Sequence, residues 1–292
     1  MNVITRLPGP FLIFLGALSL SFGGLIVKSF EGATLWQILF WRSLFFSLTV
    51  LAFLLISYKG KTLKSFYISG LPGFFGGIIL SIGFCGYVFA MYNTTVANTN
   101  FIISLQILFL SIFGYLILKE KISIVTLISI ILAMIGVLLM VGNSLSPGEL
   151  SGNLAAFSMP IVFAILIIII RKYPTVDMVP AQFVAGVCSC LVGFLISTKI
   201  MISPHDIFLG FLAGFFQVGF GFIFITIGAR TTPSATVGVI MLSESVLGPI
   251  WAFLFVSERP SVYGLIGGAV ILFAVSIQFY SLMSKSKKNI LS

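Results

Sequence analysis

The chain has 292 residues, of which 59% are hydrophobic and only 8% charged. A soluble domain is about one quarter charged, so this chain cannot cover a water-facing surface; an ordinary soluble enzyme, a nucleic-acid module and a disordered tail are excluded. The net charge of +9 does not mark a nucleic-acid partner, because the Lys and Arg residues fall between apolar runs, where they set membrane orientation.

A helix crosses a bilayer with ~20 residues, and Gly, Pro and charge clusters divide the chain into ten such runs. Span 1, Gly9–Val27, follows Arg6 and lacks a small-residue cleavage site, so it reads as an uncleaved first helix. Span 2, Ala33–Ser57, holds Trp36, Trp41 and Arg42; Arg42 stands roughly 13 Å from the start of the span at 1.5 Å per residue. Span 3, Tyr67–Met91, has glycines at 70, 73, 76, 77, 83 and 86, and ends near Tyr87. Small residues let helix backbones approach closely and slide. Span 4, Thr95–Ile117, opens with Asn98 and Asn100 and carries Gln106. Spans 5, 6 and 7 are Ser123–Val141, Asn153–Ile170 and Met178–Thr198. Span 8, Asp206–Gly228, sets Gln217 among Gly214, Gly219 and Gly221. Span 9, Ser234–Val256, contains Glu244 and Trp251, and span 10 is Val262–Met283. Runs of this length without strict alternation are helices, not barrel strands, and a helix pairs its own backbone groups inside lipid. The three cysteines, Cys85, Cys188 and Cys190, have no metal or disulfide spacing, so neither a metal nor another cofactor is expected.

Alternate loops differ sharply in charge. One side carries twelve Lys and Arg residues and the other only Lys28, Lys199 and Arg259. Basic loops mark the cytoplasmic side, so both termini are expected there, in a multi-pass inner-membrane protein.

The chain also repeats itself. Asn98–Glu120 and Thr236–Glu258 lie 138 residues apart; each follows a Thr-containing turn (Thr94-Thr95, Thr231-Thr232) and ends in an acidic–basic pair (Glu120-Lys121, Glu258-Arg259). Five spans per half is an odd number, so the halves must be inverted. Inverted repeats place a transporter's site near the midplane between the halves. The expected boundaries are 1–145 and 146–292, the second half ending in a basic cytoplasmic tail.

These tandem halves, the closing elements LKEKIS (118–123) and VSERPS (256–261), WQILFWR (36–42) and ESVLGPIW (244–251) resemble the drug/metabolite transporter superfamily, in particular its EamA-type ten-span members. The resemblance covers roughly residues 7 to 283. It implies an all-helical fold and alternating access through a central cavity lined mainly by spans 1, 3, 4, 6, 8 and 9. It does not fix a substrate.

Glu244 is the only acid inside any span. A charge there costs at least ~2.5 kcal/mol on insertion scales, so it must face protein, water or a partner, or be protonated. It is a candidate for substrate binding or coupling, against a role in gluing helices. Gln106 is its repeat mate and Gln217 a second mid-span amide; both are candidates for binding or for interhelical hydrogen bonds, which average about 0.6 kcal/mol. Arg42 either snorkels toward Glu31 or Glu258 or clamps a substrate carboxylate in a bidentate fork. Tyr87, Trp41 and Trp251 either pack or stack on an ammonium group. No hydrolase, metalloprotease or phosphate-loop motif occurs, so no enzyme activity is expected. The expected function is secondary transport of a small polar metabolite, most simply an amino acid or related zwitterion. A channel would want polar rings along a pore; that reading, an accessory subunit without flux, and export of other metabolites or drugs stay open. The expected partners are a small-molecule substrate and the lipid bilayer, with no nucleic acid; a monomer is expected.

Overall fold

The computed structural model describes residues 7–59, 61–93, 96–141, 150–256 and 262–291, all of whose regular structure is helical. Six helices are long and apolar enough to cross a membrane: Gly9–Lys28, Leu35–Tyr58, Thr62–Asn93, Ser151–Lys172, Val179–Ile196 and Pro204–Ala229. Four shorter apolar helices, Ile102–Leu118, Ile124–Leu139, Ser234–Gly248 and Leu265–Ser281, complete the ten spans. The expected Glu258-Arg259 pair and Thr94-Thr95 lie outside the described residues, as does the Asn98 side chain.

The helices start and stop where local chemistry directs. Gln37 Oε1 accepts from the Thr34 N–H at 2.8 Å at the start of span 2, which ends on Lys59 in the left-handed conformation. Ser203 Oγ accepts from the Asp206 N–H at 3.1 Å and caps span 8, with Pro204 in its first turn. Two ends differ from the hydropathy boundaries. The helix of span 3 starts at Thr62, ahead of a kink at Gly70 (φ +53°), and span 10 runs on to Leu291. Helical hydrogen bonding need not stop where the apolar run does.

Regularity varies between spans. Spans 2, 5, 7, 9 and 10 are each one α-helix. Span 1 is broken between Gly9–Leu20 and Gly23–Lys28, span 4 between Val96–Ser104 and Gln106–Leu118, and span 6 between Leu150–Ala156 and Ser158–Lys172. Span 8 contains a π-helical stretch, Leu212–Phe220, between Pro204–Phe211 and Gly221–Ala229.

The halves interdigitate: span 10 packs on span 5, span 7 on spans 2 and 3, span 6 on spans 3 and 4, and span 1 on spans 8 and 9. Glycines set three of these contacts. A Cβ on Gly16 would come within 2.8 Å of the Gly221 carbonyl, one on Gly77 within 2.6 Å of the Ala181 carbonyl, and one on Gly136 within 2.7 Å of the Gly267 carbonyl. In lipid, such close packing replaces the hydrophobic effect as the force between helices.

Candidate functional site

A cavity of about 20 Å³ lies in the middle of the bundle. One water needs roughly 10–15 Å³ of such space, so the cavity admits a water or two and nothing larger. Its polar wall comprises Arg42, Tyr87, Gln106, Gln217 and Glu244; its apolar wall comprises Leu20, Ile103, Met159, Phe163, Phe222 and Met241. Spans 1, 3, 4, 6, 8 and 9 all contribute, and span 2 joins them through Arg42.

The helix interruptions lead to this cavity. Leu20 ends the first segment of span 1, Gln106 begins the second segment of span 4, and Met159 follows the break of span 6 at Phe157. Gln217 lies inside the π-helical stretch. Breaking span 1 leaves the Leu20 carbonyl able to accept from Gln217 Nε2 at 3.4 Å. Irregular backbone at membrane depth is tolerated where it is buried in protein or lines a cavity, and π segments often mark functional positions. Gly23 makes the approach possible: a Cβ there would collide with the Tyr87 hydroxyl and reach within 2.6 Å of Gln217 Nε2.

Arg42 does not snorkel. It is 3% exposed, and its Nε and Nη1 are buried without hydrogen-bond partners. Its guanidinium carbon sits 4.9 Å from the Tyr87 ring centre and 5.3 Å from that of Phe84. Cation–π contact inside ~6 Å offsets part of the desolvation. Among the described residues no carboxylate pairs with it within 4.0 Å. Glu244, half-buried, faces the same cavity from span 9. Gln217 is 2% exposed and its Oε1 has no partner. Ser104 Oγ and Ser245 Oγ meet at 2.7 Å and tie span 4 to span 9 beside Gln106 and Glu244.

Two aromatic groups bracket the cavity. Toward the face with the basic loops, Phe84 packs edge-on against Phe46 at 5.3 Å and Phe222 at 5.1 Å, and Phe163 joins Phe222 at 6.2 Å. Toward the opposite face, Phe22 stacks on Trp251 at 4.6 Å and meets Phe216 at 5.5 Å, while Trp251 Nε1 donates to Ser21 Oγ at 2.8 Å. Trp251 thus stands one layer away from the cavity. Trp41 stands apart from it: its Nε1 donates to the Ile200 carbonyl at 2.9 Å, holding span 2 to the loop before span 8. The five polar candidates therefore converge, and the two tryptophans do not join them.

Each face has a polar tie as well. On the basic face, Glu120 pairs with Arg171 at 2.6 Å and accepts from the Ser234 N–H at 2.8 Å, while Arg171 Nη1 donates to the Arg230 carbonyl at 3.1 Å. These bonds join the ends of spans 4, 6 and 8 to the start of span 9. On the opposite face, Asp206 accepts from the backbone N–H groups of Glu31 at 3.1 Å and Gly32 at 3.3 Å. No sequence signal singled out Ser104, Ser245, Ser21 or the Asp206 contacts. The Glu120-Lys121 pair marks the repeat in the sequence, but nothing in it indicates the contact with Arg171.

Three comparisons bear on this arrangement. An uncharacterized transporter of Methanothermobacter thermautotrophicus is 26% identical over 207 residues, which is 65% of this chain, and the chain spans 58% of that relative's length. A crystal structure of a protein superposes with a TM-score of 0.77 at 17% identity, covering 95% of this chain and 98% of that one, a likeness of fold. The EamA-like transporter family matches twice in tandem, over residues 7–142 and 146–280. With two family repeats covering nearly its whole length, and ten apolar helices around a polar midplane cavity, the chain belongs to the EamA-like transporter family.

Proposed function

We propose that the protein moves a small zwitterionic metabolite of the amino-acid class across the inner membrane by alternating access, without chemical change to its cargo. One observation carries this reading: an unpaired guanidinium and a carboxylate line the same midplane cavity without bridging each other. Leaving a buried charge without a partner costs several kcal/mol. A substrate carboxylate would restore the pairing in a bidentate fork on Arg42, and its ammonium group would meet Glu244. Gln106 and Gln217 offer amide donors and acceptors for the remaining polar atoms.

The cavity as it stands is too small for any amino acid, so binding requires one aromatic bracket to part. Opening toward one face at a time is the essence of alternating access, and inverted halves supply two related ways to open. Residues 1–145 and 146–292 are the proposed halves. The basic face is proposed as cytoplasmic, since Lys59, Lys61, Lys64, Lys119, Lys121, Arg171, Lys172 and Arg230 lie in its loops and helix ends.

The test is counterflow in proteoliposomes with labelled amino acids, comparing wild type with Glu244→Gln and Arg42→Leu. Saturable counterflow that both substitutions weaken supports the reading. Flux of a non-zwitterionic solute together with none for any amino acid overturns it.

A further inference from the structure

A second cavity, of about 100 Å³, lies at the basic face between the ends of spans 4, 5, 9 and 10 and shares no residue with the central one. Its wall is rich in neutral oxygen ligands: Ser123 and Thr126 from span 5, Thr236 from span 9, and Gln278 from span 10. Gln278 is 2% exposed. Its Nε2 donates to Thr236 Oγ1 at 3.0 Å and Thr126 Oγ1 at 3.2 Å, and its Oε1 is buried without a partner. Ser123 Oγ lies 2.9 Å from Thr126 Oγ1. An amide oxygen left unsatisfied in the interior costs about 1–3 kcal/mol, and three helices converge to hold this one in place.

The charge balance narrows the ligand. Among the described residues Glu120 is the one carboxylate on the wall, and its charge is balanced by Arg171 while it also accepts from the Ser234 N–H. Lys121, also on the wall, is exposed. Calcium and magnesium are held through carboxylates, whereas hydroxyl and carbonyl oxygens without spare negative charge cannot balance two positive charges. Thr236 Oγ1 keeps a second lone pair after accepting from Gln278, and Thr126 Oγ1 keeps one when its hydroxyl donates to Ser123 Oγ, which also accepts from the Thr126 N–H at 3.2 Å; the volume leaves room for waters to complete a coordination shell.

We infer that this cavity binds a monovalent metal cation, through Gln278 Oε1 and the hydroxyls of Thr126 and Thr236. The bound ion ties spans 5, 9 and 10 together where they meet the basic face. Its binding requires no substrate in the central cavity, so it is tested apart from transport.

The experiment is thermal unfolding of the purified full chain in detergent, with choline chloride replaced by NaCl, KCl or LiCl at constant ionic strength. A ligand that binds only the folded state raises Tm by mass action. The expected result is a saturable rise with at least one of the metal cations over choline, lost in Gln278→Leu and in Thr236→Val. Thr236→Val alone carries the test if Gln278→Leu does not fold. Equal Tm in all four salts overturns the proposal and leaves water as the occupant. A cation-specific rise that persists in the folded variants overturns it as well.

Discussion

Spans 5 and 10 on one hand and spans 1, 4, 6 and 8 on the other are built to different rules. Spans 5 and 10 are unbroken helices that pack closely on each other, with Gly136 against the Gly267 backbone. Spans 1, 4 and 6 are interrupted along their length and span 8 passes through a π-helical stretch, and residues at or beside those irregularities line the central cavity. An unbroken helix satisfies its own backbone and presents one stripe of side chains. An interrupted one frees carbonyls and lets side chains such as Gln106 and Gln217 converge on a point. The contrast separates a frame from a proposed working part, which the unbroken spans 2 and 9 also enter through Arg42 and Glu244.

The largest effect is expected at Arg42, where the unbroken helix of span 2 reaches into the working part. Arg42→Leu should lower kcat/KM for a zwitterion by about 30-fold or more, in keeping with the ~2–5 kcal/mol lost when a buried charge pair loses one member. Arg42→Lys should recover only a fraction, because an ammonium cannot form the fork. Counterflow rates read both, and near-wild-type flux for Arg42→Leu would return this residue to the frame.

Glu244→Gln should raise KM about tenfold for amino acids and leave a carboxylate-only analogue of the same side chain unchanged, since one hydrogen bond to a charged group is worth roughly 1.5 kcal/mol. Competition assays with paired ligands measure it. Equal losses for both ligands would mean that Glu244 holds helices and not an ammonium group.

A matched pair of glycine substitutions sharpens the division further. Gly23→Ala pushes a methyl into Tyr87 and Gln217, so flux should drop several-fold with a small change in Tm. Gly136→Ala overpacks spans 5 and 10, and should lower stability by about 1–3 kcal/mol with KM unchanged. The opposite pattern in flux and Tm would dissolve the distinction. The smallest effect is expected at Glu120→Gln, which removes a partly exposed ion pair and should cost no more than about 1 kcal/mol in unfolding experiments.

Much of the fold was legible because a bilayer leaves so few solutions. Ten apolar runs define ten helices before any packing is known. The polar part of the site was legible for the same reason: Arg42, Gln106, Gln217 and Glu244 stand out in apolar surroundings, and all four line one cavity with Tyr87. The apolar wall was not legible, since nothing in the sequence separates Met159 or Phe222 from any other buried apolar residue. Nor were the breaks at Leu105 and Phe157, which neither Gly nor Pro marks at the position itself. Trp41 and Trp251 illustrate the same limit in reverse. A tryptophan is conspicuous, yet its N–H found the Ile200 carbonyl in one case and Ser21 in the other, and only tertiary placement decides that.

The interdigitation of the halves has a consequence for synthesis. The first half reaches the bilayer before the helices it packs against exist: Gly16 waits for Gly221, Gly77 for Ala181, and span 5 for span 10. Arg42, at a depth where an arginine costs about 2.5–3.5 kcal/mol by insertion scales, meets the Phe84 and Tyr87 rings within the first half, but Gln217 and Glu244 join its cavity only with the second. A nascent chain halted after five spans would therefore hold a set of unfilled glycine faces and only part of the polar wall. Neither half is a lodging for the other; each is the other's missing interior.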